Sequence, residues 1–375
     1  MPDSNPDSSR SSPPLKGAII LALAASGVML LAPILAQSHQ LRGSVLPTLL
    51  LGFVLSTIAG IWVFRIARQR PVGHKLWARL LGVLMLLLGL GGPLLLLTFL
   101  FLMMSYGGAW GRPLRVQGHQ LHPELRVGSD WTLGERADTS GLDAPTRSAL
   151  EALWLHDAQK EHASVPAFAR ISWLLAATGA PADLMEWAHR AGLEEVDHAR
   201  RCFALAAGYG GRIHSVEPMP DLLLGGLDVQ GDPRVALAVE SLRDGCLLED
   251  FNADVAGACA VECRDPAARD VLGRIAREER SHAEFSWALL DWTLQVGAAP
   301  VRTAVAEATQ RLGRIRRPTA TTARTAILVS AADPRRMREH GRLPDTEWAP
   351  LWEQRLSATA ARVAGLLEKR QAQVS

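Results

Sequence analysis

Two short stretches of this chain, EEVDHARRC at residues 194–202 and EERSHAEF at residues 278–285, carry its strongest structural signal. Each contains a glutamate followed three residues later by a histidine: Glu195 and His198 in the first, Glu279 and His282 in the second. Residues three apart project from one side of an α-helix. The neighbouring positions at helical spacing are mostly apolar, which predicts that both pairs face the interior of a helical domain.

Two further helical stretches each place one glutamate in an otherwise apolar stripe. Glu161 is flanked at helical spacing by residues such as Ala158 and Phe168, and Glu249 by residues such as Cys246. Glu240 points to the opposite side of its helix, among charged residues, so we select Glu249. Glu194 and Glu278 are expected on solvated faces. The candidate metal ligands are therefore Glu161, Glu195, His198, Glu249, Glu279 and His282.

These residue types in one core predict metal binding. Four carboxylates in an apolar interior need compensating charge, because an uncompensated buried charge costs several kcal/mol. Two divalent ions would balance the four carboxylates and take one imidazole each. Protonated acids or a hydrogen-bonded polar layer are the alternatives, but neither requires the repeated Glu-x-x-His spacing. This ligand set is the one described for two-metal carboxylate bundles.

The surrounding sequence predicts an all-α domain at residues 146–295. Its hydrophobic periodicity is helical throughout. Short turns join the first two helices and the last two, whereas the longer segment 209–232 links the two pairs. A four-helix bundle with one long crossover connection needs this loop pattern. The predicted helices span residues 146–178, 182–208, 233–263 and 267–294.

Three apolar runs without internal charge precede this domain, at residues 17–36, 45–64 and 80–104. Each is long enough to span a bilayer, which takes about 20 helical residues. We therefore predict a membrane region at 17–105 with about three transmembrane helices. The first run could instead be a signal peptide, and the third could be kinked or re-entrant at its Gly-Gly-Pro sequence. Basic residues between the second and third runs favour the cytoplasm for that loop, which places the bundle outside the cytoplasm.

The remaining segments suggest no chemistry. Residues 1–16 are rich in Pro and Ser and predict a disordered N-terminus, and residues 106–145 read as a linker. Residues 296–375 form a basic, partly helical tail, for which we favour a solvated face over docking of Trp348 and Trp352 on the bundle or the bilayer. The balance of 40 Lys+Arg against 38 Asp+Glu does not favour a nucleic-acid partner. Four cysteines without a Cys-x-x-Cys pair predict buried free thiols rather than a zinc ribbon or rubredoxin centre.

Residues 146–295 resemble the ferritin-like superfamily of di-iron carboxylate proteins. The similarity lies in EHASVPAFAR at 161–170, in DGCLLED at 244–250 and in the stretches at 194–202 and 278–285, and its most specific part is the pair of Glu-x-x-His motifs. The resemblance implies a cofactor of two iron ions, with manganese as the alternative. It also implies roles for the six residues: Glu195 and Glu279 would bridge the metals, Glu161 with His198 would complete one shell, and Glu249 with His282 the other.

Departures from better-known members narrow the implied chemistry. Asn252 stands where rubrerythrin-type peroxidases have an extra glutamate, and Tyr209 is too far beyond His198 to match the radical tyrosine of ribonucleotide reductase. The six-ligand set is most similar to that of bacterioferritin and of the membrane-associated hydroxylase of ubiquinone biosynthesis.

The resemblance and the membrane region together lead to an expected function. We expect an oxidase or oxygenase that activates O₂ or peroxide, with an electron donor, membrane lipid and a lipid-soluble or small-molecule substrate as partners. The alternatives are a non-catalytic metal-handling or sensor protein at the membrane, and a bundle kept only as an interaction scaffold.

Overall fold

The structure is a computed structural model that describes residues 45–68, 83, 112–116 and 119–372. The chain divides into two units, Met1–Ser105 and Tyr106–Ser375. In the first unit the second predicted apolar run is helical, as α1 (Val45–Arg68). Within the described part of the chain, no helix has both the length and the apolarity needed to cross a membrane. The predicted disordered N-terminus, the first apolar run and all of the third run except Val83 lie outside the described residues.

Four long helical segments form most of the second unit, which confirms the predominantly helical character expected from the sequence. Their observed ends agree with the predicted ones within two residues. The third segment is continuous, but its middle part is π-helical. The segments are α2 (Ala144–Thr178), α3 (Ala182–Gly210), α4 (Pro233–Glu240) with the π stretch (Ser241–Glu249) and α5 (Asp250–Glu262), and α6 (Pro266–Val296).

Local sequence sets the ends of these helices. The Asp143 side chain accepts a hydrogen bond from the Thr146 amide and so caps the start of α2. Asp265 caps α6 in the same way through the Ala268 amide. At the end of α2, Gly179 adopts φ of 71°, a left-handed conformation that glycine reaches without a steric penalty. Short turns join α2 to α3 and α5 to α6, as predicted.

The bundle core consists of two apolar clusters. The larger contains Ala158, Cys202 and Ile275, and the smaller contains Phe168 and Phe285. On α2, α3 and α6 the candidate metal ligands fall in sequence between members of the two clusters. The polar residues therefore form a layer between two apolar regions. All four cysteines are buried free thiols: Cys202, Cys246, Cys259 and Cys263.

The segment predicted to be a linker packs on the bundle from Arg112 onward. Its β1 (Arg115–Val116) pairs antiparallel with β2 (His119–Gln120), and its β3 (Leu125–Val127) pairs antiparallel with β4 (His214–Val216), which follows α3. The Leu114 amide also donates a hydrogen bond to the Ala163 carbonyl of α2, at 3.2 Å. The linker interpretation is therefore wrong for this part, which belongs to the folded domain.

The C-terminal tail is also folded onto the bundle. It forms α7 (Ala299–Arg311), α8 (Ala323–Ala331), α9 (Pro334–Glu339) and α10 (Trp348–Ala372), with short 3-10 turns at Leu312–Arg314 and Asp345–Glu347. A further 3-10 turn, Pro220–Leu223, lies in the connection between α3 and α4. Trp348 and Trp352 are buried, and both rings lie edge-on to Phe251. The preference for a solvated face is therefore wrong here, because burying two indoles removes a large apolar surface from water.

Candidate metal centre

All six predicted ligands lie together in the bundle core, and none is more than 3% exposed. They form two groups, within each of which one ligand atom per residue lies within 4.8 Å of the others. Two carboxylates are shared, so the groups adjoin. The first group is Glu161, Glu195, His198 and Glu279; the second is Glu195, Glu249, Glu279 and His282.

Several atoms that face this centre have no hydrogen-bond partner among the described residues. They are Nδ1 of His198, Nδ1 of His282, Oε2 of Glu195 and Oε2 of Glu279. Leaving a buried polar atom unpaired costs about 1–3 kcal/mol. Imidazole nitrogen and carboxylate oxygen are also the donors that divalent iron, manganese and zinc accept. The residues present therefore fit a metal ion, and the unpaired atoms are the ones that it would bind.

The charges in this core act strongly on the two histidines. Nδ1 of His198 lies 3.6 Å from Glu195 Oε2, and Nδ1 of His282 lies 3.3 Å from Glu195 Oε1. Burial alone would lower the pKa of His198, but the nearby negative charge of Glu195 and the hydrogen bond to Glu278 raise it to about 10. Burial is likewise outweighed at His282, whose pKa lies well above its ordinary value. Without metal, imidazolium protons supply the missing positive charge, and metal binding has to release them.

Two glutamates outside the predicted set contact the histidines at Nε2, the ring nitrogen that does not face the metal centre. Glu278 on α6 places Oε2 2.7 Å from Nε2 of His198 on α3, and Glu194 on α3 places Oε2 2.7 Å from Nε2 of His282 on α6. The expectation that both acids face water is wrong. Each precedes a motif glutamate and is rotated by about 100° from it, which directs it at the adjoining helix. The doubled Glu-Glu-x-x-His pattern was the signal in the sequence.

Replacing Glu278 with alanine is expected to weaken metal binding about 10–100-fold. The reason is that His198 loses the partner that orients its ring and keeps Nδ1 available to the metal. The affinity would be measured by competition with a chelator. Glu284→Ala on the same helix is the matched control and should leave the affinity unchanged, because Glu284 pairs with Arg362 at the surface. Equal affinities for Glu278→Ala and the wild type would contradict this role.

Arg112 adds a buried cation that sequence reasoning missed. Its Nε lies 3.0 Å from Glu249 Oε1 and its Nη2 lies 3.3 Å from Oε2, and Nη2 also donates to Ser286 Oγ. The guanidinium lies 5.1 Å from the centroid of the Phe168 ring. Burial raises the pKa of Glu249 to about 7, even though Arg112 acts in the opposite direction. This pair fixes the orientation of one candidate ligand through a residue 137 positions away.

Two more polar side chains contact the candidate ligands. Lys160 Nζ lies 3.7 Å from Glu161 Oε1. Asn252 Nδ2 donates to Glu279 Oε1 at 2.9 Å. The residue that marks the departure from rubrerythrin-type proteins thus positions a ligand instead of serving as one.

Gly245, in the π stretch, leaves the space that Arg112 occupies. A Cβ there would overlap both Ser286 Oγ and the Arg112 guanidinium. Gly245→Ala is therefore expected to lower the free energy of unfolding by about 1–3 kcal/mol through overpacking, measured by chemical denaturation. Gly365→Ala is the control, because a Cβ at Gly365 meets nothing within 4 Å. Since Gly365 lies within a helix, this replacement should raise the free energy of unfolding by about 0.5–1 kcal/mol. Similar effects at both glycines would contradict the close approach.

The residues set aside on sequence grounds belong to neither group. Glu240 pairs with Arg170. The ring of His162 packs on Trp131 with centroids 4.4 Å apart. Tyr209 forms a hydrogen bond with Nδ1 of His340, at 2.9 Å.

No protein-family model, curated protein or solved structure matches this chain. The chain's own residues form a buried cluster of Glu and His side chains, within a helical bundle, that could hold a metal ion.

Proposed function

We propose that the bundle is a ferritin-like domain that binds a di-iron carboxylate centre and uses it for redox chemistry with O₂ or peroxide. One observation carries the proposal. Two buried ligand groups share Glu195 and Glu279, and each contains one histidine whose Nδ1 has no partner among the described residues. Protonated acids would remove the charge problem, but they would not explain two similar groups that meet at shared carboxylates.

The proposed ligand roles follow from this grouping. Glu195 and Glu279, which belong to both groups, would be ligands shared by the two ions. Each ion would be held by one further carboxylate and one imidazole, and the four carboxylates would balance two divalent charges. Oxygen and nitrogen donors suit iron and manganese alike, so manganese is the alternative metal. The terminal pairs are Glu161 with His198 and Glu249 with His282.

Bound iron would supply one-electron and oxygen chemistry, and the chain's own residues would control its surroundings. Glu194 and Glu278 hold the histidine rings so that Nδ1 points inward. Arg112 and Asn252 fix the orientations of two carboxylates. The apolar clusters on either side limit the contact of the layer with water, which strengthens electrostatic interactions within it.

The proposed setting is a cell membrane, with residues 17–105 as the anchor and the bundle on the extracytoplasmic side. This part of the proposal is supported by the three apolar runs and the basic loop of the sequence. An anchored oxidase or oxygenase would take electrons from a separate donor.

Metal content and oxygen consumption of the full chain test the proposal. The protein would be produced with iron available, purified in mild detergent and analysed by elemental mass spectrometry. We expect about two iron ions per chain, with oxygen consumption that depends on an added reductant. Manganese at the same stoichiometry would keep the site and change its chemistry. Metal without sustained turnover would indicate a metal-handling or sensor protein, and a folded chain without stoichiometric metal would refute the centre.

A further inference from the structure

A cavity of about 180 Å³ opens beside the proposed metal centre. Its inner wall includes the candidate ligand Glu161, together with Asn252, which binds Glu279. It is partly open to the surface, so a ligand can enter. An apolar cavity of about 150 Å³ accommodates benzene, so this one suits a body about the size of one aromatic ring. Apolar side chains from three bundle helices form much of the wall: Leu153, Val255, Ala256, Leu272 and Ile275.

The tail, for which the sequence suggested no chemistry, supplies the opposite wall. Ala320, Val329, Met337 and Leu343 line the cavity on this side, and Trp348 closes part of it. These residues are brought there by the docking of the tail on the bundle. A surface cleft beside the candidate ligands is thereby converted into a shaped cavity.

Arg342, also from the tail, provides an anion-binding subsite in this cavity. Its Nη1 donates to Asp157 at 2.6 Å, and its guanidinium lies 3.9 Å from the centroid of the Trp154 ring. Its Nε and Nη2 are buried and have no acceptor among the described residues. These two nitrogens form one edge of the guanidinium, whose parallel N–H groups match the two oxygens of a carboxylate. Arg342 lines the cavity, is only 9% exposed and has an unused carboxylate-binding edge.

The other charged groups of the cavity already have partners. Asp157 accepts from Arg342 and lies 4.0 Å from Lys160 Nζ. The Asp345 carboxylate accepts hydrogen bonds from the backbone amides at residues 320 and 321. Among the charged side chains of the described residues, the free edge of Arg342 therefore offers two unused donors to a ligand. They select a carboxylate over a cation or a neutral hydrocarbon.

We propose that this cavity binds the substrate of the centre, and that the substrate is a small amphipathic carboxylate. Its carboxylate pairs with Nε and Nη2 of Arg342, and its apolar body, about the size of one ring, extends along Ala256 toward Glu161. The identification as a substrate rests on the proposed function, because the metal centre is what makes the inner end reactive. Binding itself requires only the cavity and Arg342.

Calorimetric titration of the full chain in detergent with benzoate, and with benzyl alcohol as its uncharged counterpart, tests this inference. Benzoate is expected to bind at least about tenfold more tightly than benzyl alcohol, because a charged hydrogen-bonded pair contributes that much or more. Arg342→Gln should remove this preference and leave the iron content unchanged. The control is Arg338→Gln, a neighbouring tail arginine that pairs with Glu347 at the surface and should keep the preference.

A second variant keeps the test decisive if Arg342→Gln fails to fold. Ala256→Leu fills the cavity without touching a charge, and it should abolish benzoate binding while the iron content stays unchanged. Equal affinities of the wild type for the two compounds, or undiminished benzoate binding by Ala256→Leu, would overturn the proposal. The titrations are repeated on metal-free protein. A chain that binds benzoate through Arg342 but holds no iron would support the carboxylate-binding cavity and refute the di-iron function. A chain that holds iron but does not prefer benzoate would support the di-iron centre and refute the carboxylate-binding cavity.

Discussion

Replacing Glu195 with alanine is expected to abolish metal binding, so that the iron content of the purified chain falls from about two ions to none. Glu195 belongs to both ligand groups and lies close to both imidazoles, 3.6 Å from His198 Nδ1 and 3.3 Å from His282 Nδ1. Glu161 and Glu249 each belong to one group only. Elemental mass spectrometry of the variant beside the wild type measures the loss.

The fold should survive this change. In the metal-free core Glu195 is the carboxylate that lies close to both charged imidazoles, and removing one partner of a buried ion pair is destabilising, so the melting temperature without metal should fall. Stabilisation by added iron, which follows from binding to the folded state, should disappear. Glu240→Ala is the control, because Glu240 pairs with Arg170 and belongs to neither group. Retention of stoichiometric iron by Glu195→Ala would show that the shared carboxylates do not hold the metals.

Replacing Trp348 with alanine is expected to lower the free energy of unfolding by about 3–5 kcal/mol. Trp348 is 2% exposed and packs edge-on against Phe251, two residues beyond Glu249. Its loss leaves a hole between α10 and the bundle that the surrounding backbone can fill only in part. In a domain of this size, a loss of about 1 kcal/mol in the free energy of unfolding lowers the melting temperature by a few degrees. The melting temperature of this variant should therefore fall by about 10 °C.

An exposed tryptophan of the same domain provides the control, because its replacement removes the same side chain without leaving a buried hole. Trp173 on α2 is 61% exposed, so Trp173→Ala should change the melting temperature by no more than about 2 °C. Thermal unfolding followed by circular dichroism measures both variants. If Trp348→Ala were as stable as the wild type, the tail would be a loosely attached segment. The cavity that the tail closes would then lose its outer wall as well.

The features that could be predicted from the sequence are local in origin. Helix ends depend on caps and turns a few residues long, such as Asp143 and Gly179, and these are visible in the chain itself. The inward direction of the six candidate ligands follows from helical periodicity, because residues three or four apart share a face. The amino-acid sequence is therefore sufficient to predict the helices, their pairing and the six residues that meet in the core.

The features that depend on tertiary packing involve contacts between distant parts of the chain. Arg112 reaches Glu249 across 137 residues, Glu194 and Glu278 cross between helices, and Arg342 joins Asp157 across 185 residues. A face that looks solvated on one isolated helix can lie against its neighbour. No periodicity records such pairings, because they depend on how the linker, the bundle and the tail pack together. The candidate ligands are therefore specified by the helical repeat, whereas the groups that orient them and the cavity beside them arise only when the chain folds.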